Sequence, residues 1–304
     1  MGSHSRTVIY AALTANLLIA ATKFGAALVT GSSAILAEGI HSLVDTSNEL
    51  LLLYGRRRAK LPPDDHFPFG HGKEIYFWSF VVAILVFSLG SGLSIYEGID
   101  QLINPHPTRH TYVNYVILGL AALFEGSSWN IARRELARTK GRRGYLETIR
   151  RAKDPSVFVV FLEDSAALLG LGVAFTGILL SQLSGKHYFD ALASIVIGLI
   201  LGVTASILAA ETKGLLIGES ANREVVQGIR EIAASSSGVE HVNEILTMHM
   251  GPEFILVNLS VEFDDAASSD DIETMIALLD RRIKQAYPNV KRIFVEAEAW
   301  RTRE

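Results

Sequence analysis

The sequence predicts two fold classes in one chain. An all-α transmembrane domain of six helices covers residues 1–214, and a small α+β domain of order α-β-β-α-β covers residues 215–304. Three observations carry this. Of 304 residues, 49% are hydrophobic and the mean hydropathy is +0.28, too apolar a balance for an ordinary soluble protein. Six apolar stretches each approach or exceed the about 20 residues that a helix needs to cross a ~30 Å hydrocarbon core. After about Lys213 the pattern turns to short alternating segments and amphipathic spacing.

The six stretches lie near Val8–Val29, Ser33–Tyr54, Tyr76–Leu102, Tyr112–Ile131, Val157–Leu183 and Phe189–Ala210. Met1-Gly-Ser-His-Ser-Arg lacks the charged segment and cleavage site of a signal peptide, so the first stretch reads as a retained anchor. Basic residues crowd two connections. One holds Arg56, Arg57, Arg58, Lys60 and Lys73; the other holds Arg133, Arg134, Arg138, Lys140, Arg142, Arg143, Arg150, Arg151 and Lys153. The opposite loops offer Arg109 and Lys186. The positive-inside rule therefore places both basic loops and both termini in the cytoplasm, where the same residues can also meet anionic headgroups.

The second stretch is unusual. Glu38, His41, Asp45, Asn48 and Glu49 interrupt it at helical spacing, so they form one stripe that can face a bundle interior while Leu and Ile face lipid. His41 and Asp45 are four apart and share a helix face. Glu163 and Asp164 interrupt the fifth stretch in the same way. An ionisable group at membrane depth costs at least ~2.5–3.5 kcal/mol, which marks such groups as functional. One divalent cation between the two helices would satisfy all of them, whereas helix–helix hydrogen bonding is the plainer alternative. Asn16 can reach the same cavity or bond a neighbouring helix. Glu38, Asn48 and Glu125 fit the rim, and Lys23 needs a carboxylate partner or a path to the interface.

The chain has no cysteine, so any metal is held by His, Asp, Glu and Asn rather than thiolate. Zinc, manganese, ferrous iron and cobalt all accept such ligands. Two further groups fit a metal less specifically. Asp64, His66 and His71 lie in a loop stiffened by Pro62, Pro63, Pro68, Gly70 and Gly72; the alternative is a rigid turn. His241, His249, Glu296 and Glu298 lie in the tail, where such residues are usually just solvated. In that tail, helices are expected at Asn222–Ser235 and Ser268–Tyr287, with strands at His241–Met250, Phe254–Phe263 and Arg292–Ala297. Ser268, Ser269 and Asp270 are the cap candidates for the second helix. About 90 residues is small for an independent domain, which favours pairing with a second copy.

Gly31-Ser-Ser-Ala-Ile-Leu-Ala-Glu-Gly-Ile-His-Ser-Leu-Val-Asp45, then Phe69-Gly-His-Gly-Lys73, then the tail, together resemble a cation diffusion facilitator from about residue 8 to 298. Tyr76-Phe-Trp and Glu163-Asp-Ser-Ala-Ala resemble the subgroup that includes the mitochondrial zinc transporter of animals and its bacterial relatives. The resemblance implies a homodimer, six helices per protomer, a metallochaperone-like cytoplasmic domain, and exchange of cytoplasmic divalent metal for protons. It implies a transport site of two ligand pairs. His41 and Asp45 fill the first, Asp164 matches one member of the second, and the other member falls on Val160, which cannot bind metal. Glu163 or Asn16 is then the substitute donor. Phe67 stands where the loop motif carries His, with Asp64 and His71 matching and His66 shifted by one. Asn243, Asn258 and Glu296 stand at tail positions where zinc-binding members carry His, so a weakened or absent regulatory site is expected.

The expected function is export of a divalent metal, zinc first, in exchange for protons. The same fold carrying Mn²⁺, Fe²⁺, Co²⁺ or Ni²⁺ is the alternative, with a passive metal channel after it. The expected setting is a bacterial or archaeal inner or plasma membrane. The partners are the metal, protons, the lipid bilayer and a second copy, with no nucleic acid and no cofactor beyond the transported ion. The sequence contains no HExxH, GxSxG or P-loop, so neither an enzyme nor ATP-driven pumping is expected.

Overall fold

A computed structural model describes residues 3–105, 111–140, 144–186 and 188–299, except the side chains of 3–15, 111, 138–140 and 146. Arg109, Arg142 and Arg143 of the basic-loop argument, and the side chains of Arg138 and Lys140, lie outside what is described. The chain divides into two units, Met1–Arg57 with Phe77–Lys213, and Arg58–Tyr76 with Gly214–Glu304.

The first unit is built from long helices: α1 (Ser3–Thr30), α2 (Ser33–Arg58), α3 (Glu74–Ile103), α4 (Thr111–Lys140), α6 (Pro155–Ser184) and α7 (Tyr188–Ile217). Each covers one of the expected stretches and runs past it at one or both ends. Among the described residues, α3, α6 and α7 are both long and apolar enough to cross a membrane. The polar stripe of α2 lowers its average, although its exposed side keeps Leu43, Leu50 and Tyr54. Local chemistry sets the ends. Gly31, at φ 70°, turns the chain out of α1 in a region that favours glycine. Asp154 caps α6 by accepting from the Ser156 amide, Pro155 occupies the first turn, and Gly185 closes the helix in a left-handed conformation.

Two features are not in the sequence reading. α3 contains a π-helical segment at Val86–Ser91. The second basic connection, read as a loop, contains helix α5 (Tyr145–Arg151), supported by a Glu147–Arg151 pair at 3.3 Å one turn apart. α3 and α7 approach closely at small residues. A Cβ on Gly98 would lie 2.7 Å from the Ala191 carbonyl oxygen and 2.9 Å from the Ile195 nitrogen, so neither backbone could stay in place.

The second unit has α8 (Arg223–Ala234), β1 (Val239–Gly251), β2 (Phe254–Phe263), α9 (Ser269–Ala286) and β3 (Val290–Ala297), close to the five elements expected. The sheet order is β1-β2-β3, antiparallel between β1 and β2 and parallel between β2 and β3. α9 is the crossover that a parallel pair requires. Alternate residues of β2, Ile255, Val257, Leu259, Val261 and Phe263, are buried with Ile229 and Ala233 of α8 and Leu279 and Ile283 of α9. Ser268 and Asp271 form a reciprocal capping box at the start of α9.

The expected division at 214/215 placed residues 58–76 in the first domain; their packing groups them with the second unit. Phe69 meets the Phe294 ring edge-on at 6.5 Å between centroids, and Lys73 Nζ lies 3.6 Å from Met248 Sδ. A Cβ on Gly72 would collide with the Met250 carbonyl. Only glycine admits that approach, and it lies within the loop motif Phe69–Lys73.

Candidate metal centre

The α2 stripe lies inward as its spacing predicts. Glu38, His41, Ser42 and Asn48 are buried, with His41 only 1% exposed. His41 Nδ1 lies 3.4 Å from Asp45 Oδ1 across one helical turn without making a hydrogen bond. α6 carries Glu163, also buried, and Asp164 next to it. A small cavity of about 40 Å³ is lined by Asn16 of α1, Ser42, Asp45 and Glu49 of α2, Glu125 and Ser128 of α4, and Val160, Glu163 and Asp164 of α6. Asp45 and Asp164 therefore share a pocket.

Polar neighbours hold most of this cluster. Asn48 Nδ2 donates to Glu163 Oε1 at 2.7 Å, and Asn16 Nδ2 donates to Glu49 Oε1 at 2.9 Å. Lys23 Nζ donates to Ser42 Oγ at 2.6 Å and to Glu38 Oε2 at 3.2 Å, and lies 3.8 Å from Glu125 Oε1. The lysine pairs with carboxylates, one of the two fates its depth allowed. Among the described residues, both ring nitrogens of His41, Asp45 Oδ1 and Asp164 Oδ2 are buried with no hydrogen-bond partner. Leaving such atoms unpaired costs ~1–3 kcal/mol each, so Asp45 and Asp164 on the cavity wall, with His41 one turn from Asp45, point to a ligand. Val160 faces the cavity as an aliphatic side chain, where the resemblance would place a ligand. Asn16 and Glu163 both line the cavity, each with one polar atom already engaged, by Glu49 and by Asn48.

The loop residues divide. Asp64 Oδ1 accepts from the His66 and Phe67 amides at 2.9 and 2.7 Å, while Oδ2 lies 2.9 Å from His71 Nε2. The His71 bond, with the Phe67 amide next, holds the Asp64 carboxyl below the usual carboxylate range. His71 is buried against the Phe67 ring, and its Nδ1 lies 3.9 Å from Glu74 Oε1. His66 enters this cluster through its backbone amide, so the local geometry is a turn clasped by Asp64 and His71.

In the tail, Asn258 Nδ2 donates to Glu296 Oε1 at 3.1 Å, Ser260 Oγ donates to Glu298 Oε2 at 3.1 Å, and Asn243 Nδ2 donates to the Glu298 carbonyl at 2.8 Å. Amide and hydroxyl donors thus occupy these carboxylates. His241 instead meets Glu262 at 2.9 Å, and His249 is buried on β1. Among the described residues, Glu240, His241 and Glu262 form the one set of three acidic or imidazole ligand atoms lying within 4.8 Å of one another. The donors of the α2–α6 cavity are spread wider than that.

Asp190 of α7 escaped the sequence reading. It is fully buried and caps another helix: Oδ1 accepts from Ser32 Oγ at 2.7 Å and Oδ2 from the Ser33 amide at 2.9 Å, at the start of α2. An acid at the head of an apolar run, and Ser32-Ser33 before another, were the available signals.

Long apolar helices with a carboxylate-lined cavity among them, in one chain with a small three-stranded α/β module, are the build of an integral membrane protein with a polar site inside its helical unit. Residues 9–217 match the cation efflux transmembrane domain, and residues 221–300 match the cation efflux protein, cytoplasmic domain. The chain belongs to the cation efflux family. It is 32% identical over 259 residues to the proton-coupled zinc antiporter SLC30A9, mitochondrial, of Mus musculus, covering 84% of this chain and 46% of that relative. It is 29% identical over 263 residues to metal tolerance protein C4 of Arabidopsis thaliana, covering 86% and 58%. Over 307 residues it is 24% identical to the manganese efflux system protein MneP of Bacillus subtilis, covering 97% and 96%. The chain thus spans about half the length of the first two relatives. It is a membrane protein of that family, and its relatives are named for different metals, zinc and manganese.

Proposed function

We propose that this chain exports a divalent cation from the cytoplasm in exchange for protons, with zinc the first candidate and Mn²⁺, Fe²⁺, Co²⁺ or Ni²⁺ the alternatives. The observation that carries it is the shared cavity of Asp45, Glu163 and Asp164, with His41 one turn from Asp45 and buried donor atoms left without partners. The transport ligands are His41, Asp45 and Asp164, with Glu163 in the place that Val160 cannot fill. Because the donor atoms are spread, binding requires the α2 and α6 side chains to draw inward onto the ion. Such ligands bind metal only when deprotonated, so metal and protons compete for one site. That competition gives exchange when the cavity opens alternately to the two sides. Imidazole, with a reference pKa of ~6.5, is the natural coupling group.

The working form in this reading is a homodimer of six-span protomers in a bacterial or archaeal plasma membrane, with both termini cytoplasmic. Support comes from the six long helices, the basic connections and the matched cytoplasmic domain. The loop cluster Asp64–His71 and the tail carboxylates Glu296 and Glu298 are secondary positions for metal. The test is a proteoliposome assay comparing Zn²⁺, Mn²⁺, Fe²⁺, Co²⁺ and Ni²⁺ under an imposed pH gradient. Metal flux coupled to opposing proton flux is expected. Flux without proton movement would make this a channel, and Mn²⁺ or Fe²⁺ flux with little Zn²⁺ flux would overturn zinc.

A further inference from the structure

The most heavily buried ion pair of the first unit lies beside the cavity and is used by neither the ligand set nor the proposed exchange. Lys23 is 0% exposed, as is Glu38, so this ammonium does not reach an interface. Its donors go to Glu38 and Ser42 of α2, and it stands 3.8 Å from Glu125 of α4. Glu125 lines the same cavity as Asp45, Glu163 and Asp164, while Ser42 lines it and is fixed by the lysine. Room for the arrangement comes from Gly170 of α6, where a Cβ would collide with Glu38 Oε1.

Charge is crowded here. Asp45, Glu49, Glu125, Glu163 and Asp164 surround a space of about 40 Å³, and Glu38 adds a sixth carboxylate nearby. Fully ionised, they would carry more negative charge than one divalent ion neutralises, so protons or a fixed cation must supply the rest. Asn16 and Asn48 donate to Glu49 and Glu163, but amides carry no charge. Lys23 is the one lysine or arginine among the described side chains that bonds into this group.

We propose that Lys23 is a tethered counter-ion of the transport cavity. Its ammonium offsets the charge of Glu38 and Glu125 and keeps both out of the ligand set. The cation is thereby confined to the Asp45–Asp164 end and held loosely enough to leave. A fixed positive charge near a divalent ion opposes binding by simple repulsion, and that repulsion is strong where water is excluded. The proposal rests on the transport reading, because it concerns affinity at that same cavity.

The test is Zn²⁺ and Mn²⁺ binding to the purified full chain by titration calorimetry, paired with proteoliposome flux. The variants are Lys23→Met, Lys23→Arg and Glu38→Gln, each also made with Asp45→Ala so that cavity binding is separated from loop and tail binding. Lys23→Met is expected to tighten the Asp45-dependent Kd by ~10-fold or more, with kcat falling at least as far, since the ion leaves more slowly. Lys23→Arg keeps the charge and should hold Kd within about threefold of the unmodified protein. Glu38→Gln keeps the amine and removes one of its carboxylates, so the Kd should weaken by several fold; this variant decides the matter should Lys23→Met fail to fold. An unchanged or weakened Kd in Lys23→Met, or an unchanged Kd in Glu38→Gln, reduces Lys23 to a helix-joining residue and overturns the proposal. Binding that is present in the unmodified protein without flux would instead sink the transport reading and leave the counter-ion role standing. Absence of Asp45-dependent binding in every form would sink both.

Discussion

The α2 stripe and the exposed face of the three-stranded sheet use the same residue types and are built in opposite ways. On the sheet, Asn243, Asn258 and Ser260 direct their donors to Glu296 and Glu298, and the buried atoms left over are amide oxygens, Asn243 Oδ1 and Asn258 Oδ1. In the helical unit, Asp45 and Asp164 wall one cavity with a buried oxygen each left over, and His41, one turn from Asp45, is buried with both ring nitrogens unpaired. Glu, His and Asn recur in both, so residue type alone does not separate a site from a surface. What separates them is whether carboxylate and imidazole atoms are left buried and unpaired, because such an atom costs little in water and several times more inside.

The contrast breaks most sharply by removing a ligand from each side. Asp45→Ala, Asp164→Ala and His41→Ala should each reduce metal-driven proton flux in liposomes by ~100-fold or more, the scale of losing a ligand outright. Glu298→Ala should leave flux near that of the unmodified protein. Retained flux in the first set would move the site elsewhere.

A stability comparison comes next. Leu259→Ala empties the centre of the sheet module and should destabilise it by about 2–5 kcal/mol, read as a lowered melting transition and faster proteolysis of residues beyond 214. Flux would fall with the folded fraction but keep its metal KM, which the ligand variants would not.

Asp190→Ala should act on a smaller scale. It removes the acceptor of Ser32 and of the Ser33 amide, a cap worth about 0.5–2 kcal/mol. Partial loss of flux with a modest drop in melting temperature is expected. Asp190→Asn, which keeps one acceptor oxygen, should recover part of both.

The smallest effect belongs to the loop. Asp64 has its carboxyl held below the ordinary value, so its clasp is fully present above ~3.9, the unfolded reference. It is lost as pH falls through the lower folded value. Protease access to residues 62–72 should stay constant from neutral pH to about pH 4 and rise below it. A rise between pH 5 and 7 would assign the clasp to another group.

Much of this was legible from periodicity. The five elements of the tail, and the long helices, follow from apolar spacing that any neighbour of the right shape would satisfy. The face of α2 that turns inward was legible too, since 38, 41, 45 and 48 fall on one helical stripe. The partners were not. Nothing local tells Asn16 to bond Glu49, Asn48 to bond Glu163, or Asp190 to cap a helix 157 residues earlier. The π segment of α3 and helix α5 were also invisible, because neither interrupts an apolar pattern in a way that marks it.

By itself the amino-acid order determined the class of protein, the helix and strand positions, and the two segments that carry the candidate ligands, since those depend on hydropathy and spacing along one chain. Only the tertiary structure decided which carboxylates share a cavity, which are already claimed by Asn16, Asn48 or Lys23, and that residues 58–76 pack with the second unit. The reason is range: patterning acts over one or two turns, whereas the fate of a buried charge is set by whatever distant side chain shares its low-dielectric surroundings.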